Sequence, residues 1–497
     1  MSNINNIRQR IYACWLGKNI GGTLGGPHEG KPGPLNLSYY DPVPTGVLPN
    51  DDLDLQLVWL HHLRTGGQTE VTVEVMAEAW IRHVRFPFDE YGIVQRNHAY
   101  GIRGPERGAF DNYFAESMGA AIRSELWACV AAGDPKRAAA LAWADAAVDH
   151  CGEGINAEIF HAVLQSAAFA DQDRDRLIAL AIGYLPSDSR LRAGLVDTLK
   201  WWTELSDWRS VRDRIVNGYA TGNFTDVVCN LCFEILGWMA GGGDFGKSIC
   251  IAVNCGLDTD CTGATLGALL GILDPSCIPS EWKAPIGEGV VLSRGILDVV
   301  TPKDLNQLTD WTLELRDQLE ASLVECGAVL PNSPRATFMS GAPVVAFEEC
   351  AFSRSIAEIN TDELNSLSWA AAPAFGHWQR WTAMDFEAEI KLLRINFEVQ
   401  RDDELTLMAY YRSGVVAWVD GGSIISFSRS DFEADPFVAP SFHRAGLSSY
   451  RFPRGELAEG RHVLVMAFQK PRLGLVEDVV IGIGDSKTKF WLPFGFS

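Results

Sequence analysis

From the N-terminus to about Leu330, apolar residues recur at three- and four-residue steps between breaks rich in Gly, Pro and Asp, the spacing that lines one face of an α-helix. Helices are predicted over Val73 to Val84, Lys136 to Val148, Arg174 to Tyr184 and Leu191 to Leu205. Asp134-Pro135 and Ser187-Asp188-Ser189 read as helix starts, where a capping oxygen or an early proline suits the first turn. No repeat of fixed period is evident. Beyond Leu330, the run Pro331-Asn332-Ser333-Pro334 leads into alternating β-branched and aromatic segments. Ile395 to Val399, Glu404 to Tyr411, Val415 to Val419, Ile424 to Phe427 and His462 to Phe468 read as strands, with turn residues such as Asp420-Gly421-Gly422 between them. The expected fold class is a mainly all-α bundle over residues 1–335 followed by an all-β sandwich over residues 336–497.

A chain of 497 residues is too long for one ordinary core, which agrees with two domains. The 42 Lys and Arg against 63 Asp and Glu leave a net charge of −21. That balance excludes a nucleic-acid or anionic-membrane surface and favours cations. No basic segment precedes an apolar stretch at the N-terminus, and no apolar run is long enough to span a bilayer, so a soluble, cytoplasmic protein is expected. Eleven cysteines, an odd number in mostly apolar contexts, suit buried thiols better than a disulfide framework. Cys229 and Cys232 form a CxxC inside an apolar helical run, Val227 to Met239, and core packing is their better reading.

The candidate chemistry lies in two acidic clusters, Asn50-Asp51-Asp52-Leu53-Asp54 and Asp258-Thr259-Asp260-Cys261-Thr262. Carboxylates this dense repel one another unless protons or cations neutralise them, and so many oxygen donors suit Mg²⁺, Mn²⁺ or Ca²⁺ better than zinc. Each cluster stands at a predicted helix start. Asn50 is a good N-cap for a helix over Asp51 to Leu63, and first-turn aspartates also occur simply because exposed N–H groups favour them. Asp54 can face solvent. Behind the second cluster, Gly263, Gly267 and Gly271 give a helix face almost without side chains, against which another helix must pack closely.

The run Trp15-Leu16-Gly17-Lys18-Asn19-Ile20-Gly21-Gly22-Thr23-Leu24-Gly25-Gly26-Pro27-His28-Glu29, followed by Asn-Asp-Asp and then by Asp-Thr-Asp with its glycine-spaced helix, resembles the ADP-ribosylglycohydrolase family. Met118-Gly119-Ala120-Ala121-Ile122-Arg123 and Ala144-Asp145-Ala146-Ala147-Val148-Asp149-His150 extend the similarity, which covers roughly residues 5 to 275. The resemblance implies an orthogonal all-α bundle with a dinuclear Mg²⁺ centre, Mn²⁺ being the alternative ion. It implies Asn50, Asp51, Asp52, Asp258, Asp260 and Thr262 as the metal-binding set, Glu29 and Asp52 as catalytic residues, and His150 as a substrate contact. His150 equally suits a helix C-terminus beside Gly152. The loop from His98 to Gly108, with Gly101 and Gly104, either lines a pocket for a sugar or pyrophosphate or is a surface connection.

Three departures from the family pattern stand out. Asn50 replaces a hydroxyl residue, Cys261 replaces an oxygen donor with one poorly suited to Mg²⁺, and Gly22 stands where many members carry aspartate. A divergent branch is implied, acting on a small-molecule or ADP-ribosylated substrate. The expected reaction is hydrolysis of an α-linked N- or O-glycosidic bond to ADP-ribose or a related ribosyl group. A second reading is a glycoside or nucleoside hydrolase whose β domain binds carbohydrate through Trp369, Trp378, Trp381, Tyr410, Tyr411 or Trp418, although such rings are more often core. A third is a metal-stabilised scaffold without turnover. Oligomeric state stays open.

Overall fold

The computed structural model of the protein describes residues 2–86, 89–221, 223–319, 323–324, 347–364, 366–372, 378–399, 405–411, 414–428, 449–452, 457–471 and 476–485. Helix bounds in it follow capping chemistry. The Asp51–Gly66 helix opens where the Asn50 side chain accepts the Asp52 N–H at 2.8 Å and closes on Gly67 at φ 62°. Asp134 caps Pro135–Ala146, Thr72 caps Val73–His83, Asp173 caps Arg174–Gly183 and Ser189 caps Arg190–Leu205, each through its side-chain oxygen. The last four match the expected runs to within two residues at either end, and the first runs three residues beyond the expected Leu63. Cys229 and Cys232 are free, buried thiols on the Val227–Gly241 helix.

Two glycine-rich helices form the centre of this helical part. Ser2–Gly25 (α1) lies against Thr259–Leu273 (α3), with the Asp51–Gly66 helix (α2) between them in sequence. A Cβ built on Gly17, Gly21 or Gly25 would run into the backbone of Gly267, Gly263 or Thr259 respectively, and one on Gly271 into Ala13. The bare face behind Asp260 is therefore met by a second bare face, so the backbones themselves touch. Gly22 faces the Asn50 amide, which fills the space a larger residue at position 22 would need.

Contacts between Cα atoms divide the chain into two compact units. One comprises Met1–Phe86, Arg103–Ala109 and Phe114–Arg335, the other Pro87–Ile102, Phe110–Tyr113 and Ala336–Ser497. The expected linker Pro331 to Pro334, and the residues 335 and 336 at the expected boundary, lie outside the described residues.

The second unit is built on two antiparallel sheets. The larger runs in the order Ala370–Ala371, Glu348–Phe352, Ile390–Val399, Gly460–Gln469, Gly414–Val419 and Gly422–Ser428. The smaller runs Ser449–Arg451, Leu405–Tyr410, Val476–Asp485 and Trp378–Thr382. Leu393, Ile395, Leu464 and Met466 from the first and Leu407, Val479 and Ile481 from the second share one buried core, which makes the pair a sandwich. Asp420 and Gly421, at φ 49° and 84°, form the tight turn between the last two strands of the larger sheet.

The described aromatic residues of this unit follow the core reading rather than the carbohydrate-binding alternative. Trp381, Tyr411 and Trp418 are buried in its two apolar clusters, and the Arg394 guanidinium lies 4.6 Å over the half-buried Trp369 ring. These rings are core or covered, so they offer no open face to a sugar. Glu404, and the side chains of Trp378 and Tyr410, lie outside the described residues. No helix among the described residues is long and apolar enough to cross a membrane.

Candidate metal centre

The second acidic cluster is tied to α1 and the loop after it by the glycine seam and by a backbone clasp, while α1 meets the first cluster through Lys18 and Gly22. The Gly30 N–H donates to the Leu257 carbonyl at 2.8 Å, and the Leu257 N–H donates to the Lys31 carbonyl at 2.7 Å. Glu29 and Asp258 are thus each one residue from the same pair of hydrogen bonds. Leu257 holds φ at 68°, a conformation a branched side chain adopts only when its surroundings impose it. The Asn230 side-chain oxygen accepts the Asp258 N–H at 3.2 Å, and the Asn230 amide in turn donates to the carbonyls of Phe224 and Asp226 at 2.9 Å. Asp258 is the N-cap of α3 but makes no side-chain capping bond. Thr259 donates to the Gly25 carbonyl at 2.9 Å, locking the start of α3 to the end of α1.

Around this scaffold the carboxylates converge. Asp52 is fully buried, with Oδ1 3.4 Å from the Lys18 ammonium, which also donates to the Ile122 carbonyl at 2.7 Å and lies 3.2 Å from Glu125 Oε2. Oδ2 of Asp52 and Oδ1 of Asp260 are buried without a hydrogen-bond partner. Donor atoms of Asp52, Asp260 and Cys261 lie within 4.8 Å of one another. Burial pushes the Asp52 carboxyl up to about 6 against the pull of Lys18. For Asp258 and Asp260, burial and then the nearby Glu29 charge raise the carboxyl well above the ordinary range, with no cation among the causes opposing them. Such a cluster is held together either by protons or by cations. Two orphaned, buried carboxylate oxygens in a rigid oxygen-rich pocket fit a divalent ion.

The remaining members of the expected set have definite places. Asn50 and Asp51 are half-buried at the start of α2, the Asn50 oxygen being taken by the Asp52 N–H. Thr262 is buried and donates to the Thr259 carbonyl at 3.2 Å. Glu29 stands exposed at the rim, after the turn Gly26–His28. Asp54 is buried rather than solvent-facing: it accepts the Ser293 N–H at 3.0 Å, and burial pushes it up to about 7.

His150 belongs to a different constellation. It is fully buried, 2.9 Å from Asp149, and Asp149 and Asp145 both bind the buried Arg123 guanidinium at 2.5 to 3.0 Å. Arg123 follows Ile122, whose carbonyl holds Lys18, so the two constellations adjoin through one backbone step. The two loop glycines are engaged in turns. The Gly101 N–H donates to the His98 carbonyl at 3.0 Å and the Gly104 N–H to Glu74 at 2.6 Å, with φ of 81° and 62°. Both amides are thus paired within the chain, and the positive φ of each is one that glycine adopts freely.

Sequence reasoning passed over Lys18 and Glu125. The signal for Lys18 was a lone cation in the apolar, glycine-rich second half of α1, where it can be buried only beside an anion.

A family model described as ADP-ribosylglycohydrolase matches residues 3–322. No curated protein matches the chain. Among solved structures, one described as "ADP-ribosylglycohydrolase-related protein complex" aligns with a TM-score of 0.45 and 19% identity, over 63% of this chain and 99% of that one.

Proposed function

The chain belongs to the ADP-ribosylglycohydrolase family, and we propose that it hydrolyses an α-linked N- or O-glycosidic bond to ADP-ribose or a related ribosyl group. Family membership makes it a glycohydrolase; the bond, the ions and the residue roles are the reading offered here. The observation that carries it is the pair of unpartnered carboxylate oxygens on Asp52 and Asp260, buried together below an exposed Glu29.

In this reading Asp52, Asp258 and Asp260, with Asn50, Asp51 and Thr262 around them, hold divalent cations, Mg²⁺ or Mn²⁺ by the hardness of most donors. Such ions, when bound, neutralise the cluster and supply Lewis acidity toward ribose hydroxyls. Glu29 stands where solvent meets the carboxylates and takes the proton of the attacking water as the C1″ bond to the leaving group breaks. Lys18 keeps one oxygen of Asp52 turned inward, and Asn230 and the Leu257 clasp fix Asp258. His150, beside Asp149, contributes through the wall that adjoins the site. The covered rings of the β unit give the carbohydrate-binding alternative no support.

The test is release of ADP-ribose from α-NAD⁺, ADP-ribosyl-arginine, ADP-ribosyl-serine and O-acetyl-ADP-ribose, with and without divalent metal. Glu29→Gln should slow turnover by about 10² to 10⁴-fold, the usual range for a general base, while calorimetry still detects metal binding. Wild-type protein that binds metal but releases nothing from any of the four would refute the ADP-ribose assignment.

A further inference from the structure

We propose that Cys261 is itself a ligand, so that one position of this centre prefers a thiophilic divalent ion such as Zn²⁺ or Co²⁺ over Mg²⁺. The inference rests on the metal reading above and concerns which ion the site takes.

Several observations converge on it. The Cys261 sulfur is within 4.8 Å of carboxylate donors on both Asp52 and Asp260, and each of those residues has an oxygen buried without a partner. Cys261 is 5% exposed, so it faces these groups and not solvent. Its backbone has little freedom to turn the thiol elsewhere, because the first turn of α3 is tied to α1 through Thr259 and Gly25 and through the touching glycines. Other buried cysteines of the helical unit, such as Cys129 and Cys232, lie within apolar helical segments, which is the ordinary environment of a core thiol. A thiol set among carboxylates gains little from packing, but it completes a mixed sulfur and oxygen donor set around a borderline-soft ion.

Oxygen donors alone leave Mg²⁺ competitive when it is abundant. A sulfur donor adds affinity for Zn²⁺ and Co²⁺ that Mg²⁺ cannot share, since its bonding is to hard oxygens. On binding, the S–H bond breaks, the sulfur forms the bond to the ion with its electron pair, and the proton leaves to water. No oxidant or reductant is involved. The substitution of Cys for a family oxygen donor thereby changes metal choice while leaving the carboxylate frame in place.

The experiment titrates the metal-stripped full-length protein with Co²⁺ and follows absorbance, then measures Zn²⁺ and Mg²⁺ affinities by competition. Wild type should develop a sulfur-to-cobalt charge-transfer band in the near ultraviolet, and both Cys261→Ser and Asp260→Ala should lose it. The ratio of Zn²⁺ to Mg²⁺ affinity should fall at least about tenfold in Cys261→Ser. Cys261→Thr, which restores a hydroxyl, gives a second variant if the serine form does not fold. Co²⁺ binding without the band, with an unchanged affinity ratio in the variants, would overturn the role of Cys261 and leave an all-oxygen site. Failure of the wild type to bind any divalent ion would overturn the metal reading of the proposed function as well.

Discussion

Two buried acidic constellations sit side by side in the helical unit, and their aspartates are paired to different degrees. Around Arg123 the two aspartates are paired within the chain: the guanidinium binds Asp145 and Asp149, and the Trp127 indole donates to the other Asp145 oxygen at 2.7 Å. Glu158 stands beside them with both carboxyl oxygens buried and without a hydrogen-bond partner, and burial and then Asp145 raise it well above the ordinary carboxyl range. Around Asp52, Asp258 and Asp260 the account stays open. Lys18 reaches only Asp52 and Glu125, and Asp52 and Asp260 each keep an oxygen without a partner. Buried carboxylates by themselves therefore say little about function. The informative feature is a buried anionic cluster for which the chain supplies too little positive charge.

The sharpest way to break this comparison is to remove one charge from each side. Asp260→Asn should cost turnover about 10³-fold, equivalent to the several kcal/mol that metal-assisted charge stabilisation supplies. It should not lower the melting temperature of the metal-free protein, because it deletes an uncompensated buried charge. Arg123→Leu should do the reverse in kind, losing about 3–5 kcal/mol of stability by stranding two carboxylates. Denaturant melts of both variants without metal decide the matter, and equal destabilisation would mean that the open cluster is closed by something in the chain.

Titration sharpens the same contrast through its sign. Asp52 and Asp54 are raised to about 6 and about 7, chiefly by burial, above the roughly 3.9 of an unfolded aspartate. Between those values the native state holds more protons than the unfolded one, so the contribution of these two groups to metal-free stability should fall as pH rises from about 4 to about 7, and the raised Asp258 and Asp260 act with the same sign. The Arg123 side has the opposite sign at Asp149. Burial there acts to raise the carboxyl, but Arg123 and then His150 outweigh it and hold it below the ordinary value. That contribution is present above the unfolded value and is lost as pH falls through the lowered one. Stability curves of metal-free wild type and Asp260→Asn from pH 4 to 8 should therefore diverge toward the alkaline end. A divalent ion, competing with the same protons, should bind more tightly across that window and flatten the wild-type curve.

Much of this arrangement was legible in the residue pattern, for local reasons. Helix starts at Asn50, Asp134 and Ser189 were readable because a cap acts within three residues of its own position. The Ile390–Val399 strand was readable only from Ile395 onward and the Gly460–Gln469 strand from His462, because both are buried on two faces along much of their length and alternation shows only where one face is exposed. The two acidic clusters could be paired from their shared chemistry and from family resemblance, but nothing in the sequence states that a clasp from Gly30 to Leu257 brings the Glu29 segment to the second of them. Close packing behind Asp260 was foreseeable from Gly263, Gly267 and Gly271. Its partner was equally present as Gly17, Gly21 and Gly25, at the same four-residue step. Asp54 was misjudged as able to face solvent because its burial depends on distant chain, the segment at Ser293. Lys18 and Glu125 were missed because a side chain that closes a charge across three helices leaves no periodic trace.

The glycine seam gives the mildest test, and one that separates position from charge. Gly25 lies against the Thr259 carbonyl, and Thr259 stands between Asp258 and Asp260. Gly25→Ala keeps every ionisable group but forces α1 and α3 apart just where the open cluster is assembled. Overpacking of this kind costs about 1–3 kcal/mol, and the displacement should carry Asp258 and Asp260 away from Asp52, which is fixed on α2 by Asn50 and Lys18. Divalent affinity should therefore fall even where the variant stays folded, whereas the Arg123 constellation, which does not touch this seam, should keep its pH dependence. Gly242→Ala, at φ 65° with open space around its Cβ position, serves as the control. It strains one helix end without moving the carboxylates, so it should lower stability and leave metal affinity unchanged. If the two alanine variants lose affinity in proportion to stability alone, the seam holds the fold but does not set the spacing of the site.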